Sequence, residues 1–249
     1  MYRVIINGYS GKMGLVLTRC INEDSELDLV CGVSKDKVDV PFNTYSKMTE
    51  IKEEADVIID FSHHSTINDV LEYATKTKTP LVIATTGFND EELEKIHQAS
   101  KIIPIFHSSN MSLGVNVLVN LVKQASKMLD GFDIEIIEKH HNLKVDSPSG
   151  TAVMIANGIK DVLPDTEFIY GRHSRCDKRT TNEVGIHAIR GGTIVGEHTT
   201  IFAGHDEVVE IKHTAQSKDI FAKGSIKAAK FLVKQTPGYY NMNDMLGLN

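Results

Sequence analysis

Cysteine is scarce in this chain. Cys20, Cys31 and Cys176 stand far apart and form no CxxC pair, which argues against a disulfide framework and against a thiolate zinc site and fits a reducing, cytoplasmic compartment. Long apolar runs are also missing. The opening Met1-Tyr2-Arg3-Val4-Ile5-Ile6-Asn7 reaches Gly8 after too few apolar residues for a signal peptide, and no stretch is long enough to span a bilayer. Export and membrane insertion are therefore not expected. There is no excess of positive charge either: a formal net charge of −6 argues against a general nucleic-acid binder, while local basic sites for small phosphates or carboxylates stay open. Neither an internal repeat nor a low-complexity segment is found. With 41% apolar residues over 249 positions, the chain can build one large core or two modest ones.

From Tyr2 to about Asn110, short β-rich runs alternate with helix-patterned segments, the sign of βαβ units around a parallel sheet. The expected strands are Tyr2–Asn7, Leu27–Val33, Asp56–Asp60, Leu81–Ala84 and Ile103–Phe106. Asn89 and Glu92 form a capping-box pattern at the start of a helix from about Asp90 to Ser100. After Gly114 the pattern changes to a long helix over Val115–Leu129, a strand over Phe132–Lys139 and a helix from Ser149 to about Val162. The polar stretch Gly171–Arg179 reads as a surface loop. Three more strands are expected at Glu183–Arg190, Thr193–Phe202 and Glu207–Thr214, with Gly191-Gly192 and Gly204-His205-Asp206 as tight hairpin turns. These strands carry apolar residues on both faces, Ile186 and Ile189 among them, which points to burial against another subunit. A last helix spans Asp219–Lys234, and Pro237-Gly238 ends it before a short tail. The fold class is α/β: a doubly wound, Rossmann-type parallel sheet at the N-terminus, followed by an α+β substrate and oligomerisation domain.

Gly8-Tyr9-Ser10-Gly11-Lys12-Met13-Gly14 follows the first strand directly and opens a helix. Glycines let the backbone turn sharply and approach a pyrophosphate, and the helix N-terminus offers N–H groups and a favourable dipole. The spacing is G-x-x-G-x-x-G, and a ligand-free glycine turn is the plain alternative. A Walker A loop is excluded, since Met13 follows Gly11-Lys12 and the upstream glycine is absent. After the second strand the sequence reads Val33-Ser34-Lys35-Asp36-Lys37, with no carboxylate in first position for the ribose hydroxyls. Ser34 with Lys35 or Lys37 could meet a 2′-phosphate; a solvated charged turn is the competing reading.

Glu138-Lys139-His140-His141-Asn142-Leu143-Lys144-Val145-Asp146-Ser147-Pro148-Ser149-Gly150-Thr151-Ala152 is the most informative stretch. Adjacent histidines with a lysine four positions beyond His140 concentrate proton donors in what reads as a solvent-facing loop. The loop ends at Ser149-Gly150-Thr151, a helix start able to hold a carboxylate. A metal site competes, although no Cys, His or Glu spacing completes a shell, and a purely structural loop is the other alternative. The segments Ala84-Thr85-Thr86-Gly87-Phe88 and His107-Ser108-Ser109-Asn110-Met111-Ser112-Leu113-Gly114 follow parallel strands, where ligands of open α/β sheets bind. His63 and His64 also stand at a strand end, and a structural or peripheral role is favoured for them.

On these residues, and on the weaker agreement through Gly185–Gly192, Val195–His198 and Met245–Leu248, the chain resembles the 4-hydroxy-tetrahydrodipicolinate (dihydrodipicolinate) reductase family of the diaminopimelate route to lysine. The resemblance runs nearly end to end, and the Glu-x-His-His…Lys-x-Asp-x-Pro-Ser-Gly-Thr-Ala string is very specific. It implies reduction of a cyclic dicarboxylate by NADPH or NADH, with His140 as proton donor and Lys144 as a second donor near the ring. His141, Gly150 and Thr151 would grip the substrate. Gly8 to Met13, Ala84 to Thr86 and Ser108 to Met111 would hold the cofactor. It further implies a homotetramer and a C-terminal segment that returns to the first domain, so the expected division is a dinucleotide domain of residues 1–112 and 221–249 and a substrate and tetramerisation domain of 113–220; no bound metal is expected. Ser34 stands where many members carry an acid, which leaves NADH or NADPH open. Two rivals are another two-domain dehydrogenase acting on aspartate or homoserine, which the His-His-Lys loop argues against, and a non-catalytic dinucleotide sensor, which leaves His140 and Lys144 unexplained.

Overall fold

The computed structural model describes residues 1–174 and 178–248. The chain divides into two units, Met1–Ser112 with Lys218–Asn249, and Leu113–Ser217. In the first unit the elements are β1 (Tyr2–Asn7), α1 (Lys12–Asn22), β2 (Leu27–Val33), β3 (Asn43–Tyr45), β4 (Val57–Asp60), α2 (Ile67–Thr77), β5 (Leu81–Ile83), α3 (Asp90–Ser100) and β6 (Pro104–His107). The second unit holds α4 (Leu113–Met128), β7 (Asp133–His140), α5 (Gly150–Val162), β8 (Glu167–Tyr170), β9 (Glu183–Arg190), β10 (Gly196–Ala203) and β11 (Val208–Ala215). The chain then returns to the first unit as α6 (Asp219–Leu232), β12 (Gly238–Tyr240) and α7 (Met242–Leu246).

The first sheet has seven parallel strands in the order β12-β6-β5-β4-β1-β2-β3. The order reverses at β1, so β1 and β4 flank the switch point where open α/β sheets take their ligands. Strands covered on both faces read as continuous apolar runs, as in Val4-Ile5-Ile6 and Val57-Ile58-Ile59, all buried. Ile5, Ile58, Leu81, Ile83 and Ile105 meet Ile67, Val70 and Ala74 of α2 and Ile96 and Ala99 of α3. Helices α1 and α6 pack on each other and on the sheet. The expected capping box is present: Asn89 Oδ1 accepts from Glu92 N at 2.9 Å, and Glu92 accepts from Asn89 N at 2.9 Å.

The second sheet is mixed, in the order β11-β10-β7-β9-β8, with β7, β8 and β9 parallel and β10 antiparallel to β7 and β11. Ile134, Ile136, Val184, Ile186 and Phe202 form one core with Leu118 and Val122 of α4 and Ile155 and Ile159 of α5. Here one expectation is corrected. Gly204-His205-Asp206 does close the β10–β11 hairpin, but Gly191-Gly192 is no hairpin turn, because β7 lies between β9 and β10. The two glycines instead run past the end of β7, with Gly191 N donating to His140 O at 2.9 Å and Gly192 O accepting from Asn142 N at 3.2 Å. Most other boundaries move by a residue or two, and β10 starts at Gly196 instead of Thr193. The expected tail contains β12 and α7, and β3 and β8 are additional strands. Of the expected loop Gly171–Arg179, residues 175–177 lie outside the described residues.

Candidate active site

In the first unit the carboxyl ends of β1, β2, β5 and β6 carry the residues expected at a dinucleotide. Gly8 has φ +86°, and a Cβ there would collide with the Phe61 carbonyl after β4; at Gly14 a Cβ would collide with the Gly8 and Tyr9 carbonyls. Both glycines are therefore required by the turn itself. Gly11 is different. Its φ is −72°, it caps α1 without a side-chain hydrogen bond, and a Cβ would meet only Gly8 O at 3.4 Å, an ordinary contact. Nothing among the described residues requires a glycine at the head of this helix, whereas a pyrophosphate approaching the helix N-terminus would. The cradle thus fits the cofactor.

Tyr9 and Met111 are placed with side chains in the core, 0% and 2% exposed, so only their backbones remain for a ligand. Ser10 Oγ pairs with Ser34 Oγ at 2.6 Å, tying the glycine loop to the end of β2, beyond which Lys35 is exposed. Below the loops lies a group that the sequence reading missed. Asn7 Nδ2 donates to buried Asp60 at 2.7 Å, Ser62 Oγ donates to the same oxygen at 2.5 Å, and Ser62 N donates to Thr85 Oγ1 at 2.9 Å. Burial pushes the Asp60 carboxyl up, against these hydrogen bonds. Ser108 Oγ donates to Asn110 O at 2.8 Å, Asn110 Oδ1 accepts from Ser112 N at 2.9 Å, and Ser109 and Thr86 are exposed. His64 pairs with Glu92 at 3.0 Å, and His63 caps the short turn His64–Thr66.

In the second unit strand alternation does the positioning. Ile134, Ile136, Glu138 and His140 are the buried positions of β7, so the face that holds the core ends in a carboxylate and an imidazole. Glu138 is 0% exposed and is surrounded by donors: Arg190 Nη1 and Nη2 at 2.7 Å each, Ser149 N at 3.0 Å and His140 Nδ1 at 2.6 Å. Burial works to raise its pKa, but the Arg190, His140 and Ser149 hydrogen bonds outweigh it and hold the carboxyl below its usual range. Opposite Glu138 on β10 stands His198, whose Nε2 meets Ser149 Oγ at 2.9 Å and whose ring lies 5.2 Å from that of His140. Ser149 Oγ also accepts from Ala152 N at 3.2 Å, capping α5.

His140 is the last residue of β7 with its side chain 11% exposed, which corrects the expectation of a solvent-facing loop for it. Lys144 is 22% exposed and pairs with Asp146 at 2.8 Å. His141 is half-buried, Gly150 is exposed at the head of α5 and Thr151 follows it. The stretch therefore assembles an imidazole, an ammonium and a helix N-terminus in one unit. Glu138, Arg190, Gly196 and His198 were not expected as site residues, and Ser149 was expected only as part of the helix start; the signal for Glu138 was its in-phase place among the β7 isoleucines. Among the described residues no group of three or more His, Cys, Asp or Glu is arranged to hold a metal ion.

Models for the N-terminal and C-terminal parts of dihydrodipicolinate reductase match residues 2–111 and 114–246. The chain belongs to the dihydrodipicolinate reductase family. Among reductase relatives, the 4-hydroxy-tetrahydrodipicolinate reductase of Caldanaerobacter subterraneus subsp. tengcongensis is 56% identical, covering 99% of this chain and 98% of the relative. The same-named protein of Clostridium tetani is 49% identical, over 99% and 97%. The dipicolinate-bound dihydrodipicolinate reductase of Paenisporosarcina sp. TG-14 shares the fold, with TM-score 0.83 and 20% identity over 97% of both chains. Family membership disfavours both the other-dehydrogenase and the sensor readings.

Proposed function

We propose that this chain catalyses the NAD(P)H-dependent reduction of 4-hydroxy-tetrahydrodipicolinate to tetrahydrodipicolinate in the diaminopimelate route to lysine. The observation that carries the residue assignment is the convergence, within Leu113–Ser217, of His140, Lys144 and the N-terminus of α5. Bound NAD(P)H supplies a hydride. Water leaves from the 4-hydroxy position, and the conjugated ring gains the hydride at one carbon and a proton at another, so the chain must deliver one proton and offset the negative charge that develops. His140 delivers that proton from Nε2. The Lys144 ammonium stands by the ring and its carboxylate, while His141 and the Gly150-Thr151 backbone grip the carboxylates. Gly8 to Met13, Ser34, Lys35, Ala84 to Thr86 and Ser108 to Met111 hold the dinucleotide. Lys35 and Lys37, with no acid at Ser34, support use of NADPH at least as readily as NADH. We place the enzyme in the cytoplasm as a homotetramer; among the described residues no helix is long and apolar enough to cross a membrane.

The test is turnover in an assay coupled to the condensation of pyruvate with aspartate semialdehyde, run with each cofactor. His140→Gln and Lys144→Ala are expected to lower kcat by about 10² to 10⁴, the range for losing a positioned proton donor, with nucleotide affinity within a few-fold. Lys144→Ala is also expected to raise KM, since a cation beside a carboxylate binds the ground state too. Near-full turnover in both variants would remove the catalytic assignment.

A further inference from the structure

We infer that Glu138, clamped by Arg190 and the Ser149 N–H, is the positioning residue that fixes the His140 imidazole with its Nδ1 protonated and its Nε2 directed at the substrate. The inference rests on the reading of His140 as proton donor and adds what makes it one. A carboxylate buried in the middle of a strand is retained only where donors saturate it. Here Oε1 takes Arg190 Nη2 and Ser149 N, and Oε2 takes Arg190 Nη1 and His140 Nδ1. The guanidinium fork keeps the carboxylate ionised, so the contact with His140 at 2.6 Å has a donor only if Nδ1 carries the hydrogen. That leaves Nε2 as the atom whose proton changes, and among the described residues it makes no hydrogen bond.

Two further features serve the same atom. Gly196 stands where a Cβ would come within 3.1 Å of His140 Nε2, so a glycine at the start of β10 leaves the ring edge unobstructed. Arg190 is in register with His140 across the parallel β7–β9 pair, and its Nη2 also donates to Asp146 O at 2.6 Å. One guanidinium thus anchors both the carboxylate behind His140 and the loop that carries Lys144. The titratable and charged groups around His140 are Glu138 on its own strand, Arg190 on β9, His198 on β10, His213 beyond it on β11, and Lys144 and Asp146 on the loop. Among the described residues Glu138 is the one carboxylate bonded to the ring, and its contact at Nδ1 holds the orientation in which Nε2 is the donor.

Three measurements on the full-length protein test this: nitrogen NMR of the His140 ring without substrate, the pH profile of kcat, and KM. In Glu138→Gln the neutral ring is expected to shift toward the Nε2–H tautomer, kcat to fall by about 10²-fold, the alkaline decline of kcat to move to lower pH, and KM to stay within about threefold. Glu138→Asp, which keeps the charge, should recover part of kcat and of the pH profile. Arg190→Lys should shift both readouts the same way by less, and it stands in should the Glu138→Gln chain not fold, as judged by thermal unfolding and nucleotide binding. The inference is overturned if the folded variants lose thermal stability alone while tautomer and pH profile match the parent. Failure of the proton-donor reading looks different: His140→Gln would then keep its turnover, whereas the tautomer shift in Glu138→Gln, measured without substrate, would still appear.

Discussion

His198 holds the site together at the cost of acid sensitivity. Only 4% exposed, it bonds Ser149 through Nε2, and among the described residues its Nδ1 has no hydrogen-bond partner. Burial first, and then the nearby His140, push its pKa from 6.5 down to about 4. Since the folded value lies below the unfolded one, the unfolded chain binds the extra proton between them. The neutral ring's contribution is complete above about pH 6.5 and is lost as pH falls through about 4. Glu138, held low, adds a loss at the acid end of the same range. The thermal midpoint is therefore expected to drop on acidification from pH 6.5 toward 4, by an equivalent of about 2 to 3 kcal/mol from His198. In His198→Gln, whose amide can still reach Ser149, the slope should flatten. An unchanged slope would show that His198 does not titrate as described.

At the scale of elements, the glycine loop separates what the fold demands from what a ligand demands. Gly14→Ala puts a methyl into the Gly8 and Tyr9 carbonyls, so α1 can no longer sit against β1. A loss of about 2 kcal/mol or more in stability is expected. Gly11→Ala meets nothing closer than 3.4 Å, and its stability should match the parent while nucleotide affinity falls by about tenfold. Thermal unfolding and nucleotide titration separate the two, and a Gly11→Ala protein with unchanged affinity would move the pyrophosphate away from this helix. The loop was legible because glycine spacing after a strand is a local signal. Most of the longer elements were legible too, from their 2.0 and 3.6 periodicities. Strands as short as Asn43–Tyr45 and Gly238–Tyr240 carry too few residues for a period. The misplaced Gly191-Gly192 turn has a different cause: local turn chemistry suggested a hairpin, but β7, some fifty residues earlier, pairs with both β9 and β10, and no local pattern reports a non-local pairing. The same limit hid Arg190, Gly196 and His198 as site residues, since each reaches the His140 loop only through sheet register.

For the whole molecule, the second sheet raises the question of what covers its other face. Helices α4 and α5 pack on the side of Ile134, Ile136, Val184, Ile186 and Phe202. Alternation puts Ile137, Ile189 and Ile201 on the opposite side, together with Glu135, Lys139, Glu197 and Lys212. Its charges are largely matched within the face: His187 pairs with Glu135 at 2.7 Å, and Lys212 and Lys139 with Glu197 at 2.8 and 3.5 Å. Ile189 is 46% exposed and Val208 60%. Apolar side chains among self-paired charges suit a face that meets a copy of itself, where each pair can be desolvated without an orphaned partner. Light scattering at micromolar concentration is expected to give a tetramer. Ile201→Glu, which places a carboxylate between its cross-strand neighbours Glu135 and Glu210, should yield smaller species while nucleotide affinity, belonging to the other unit, stays within a few-fold. A parent protein that is monomeric under these conditions, or an Ile201→Glu protein that remains tetrameric, would mean that this face is not the one through which subunits associate.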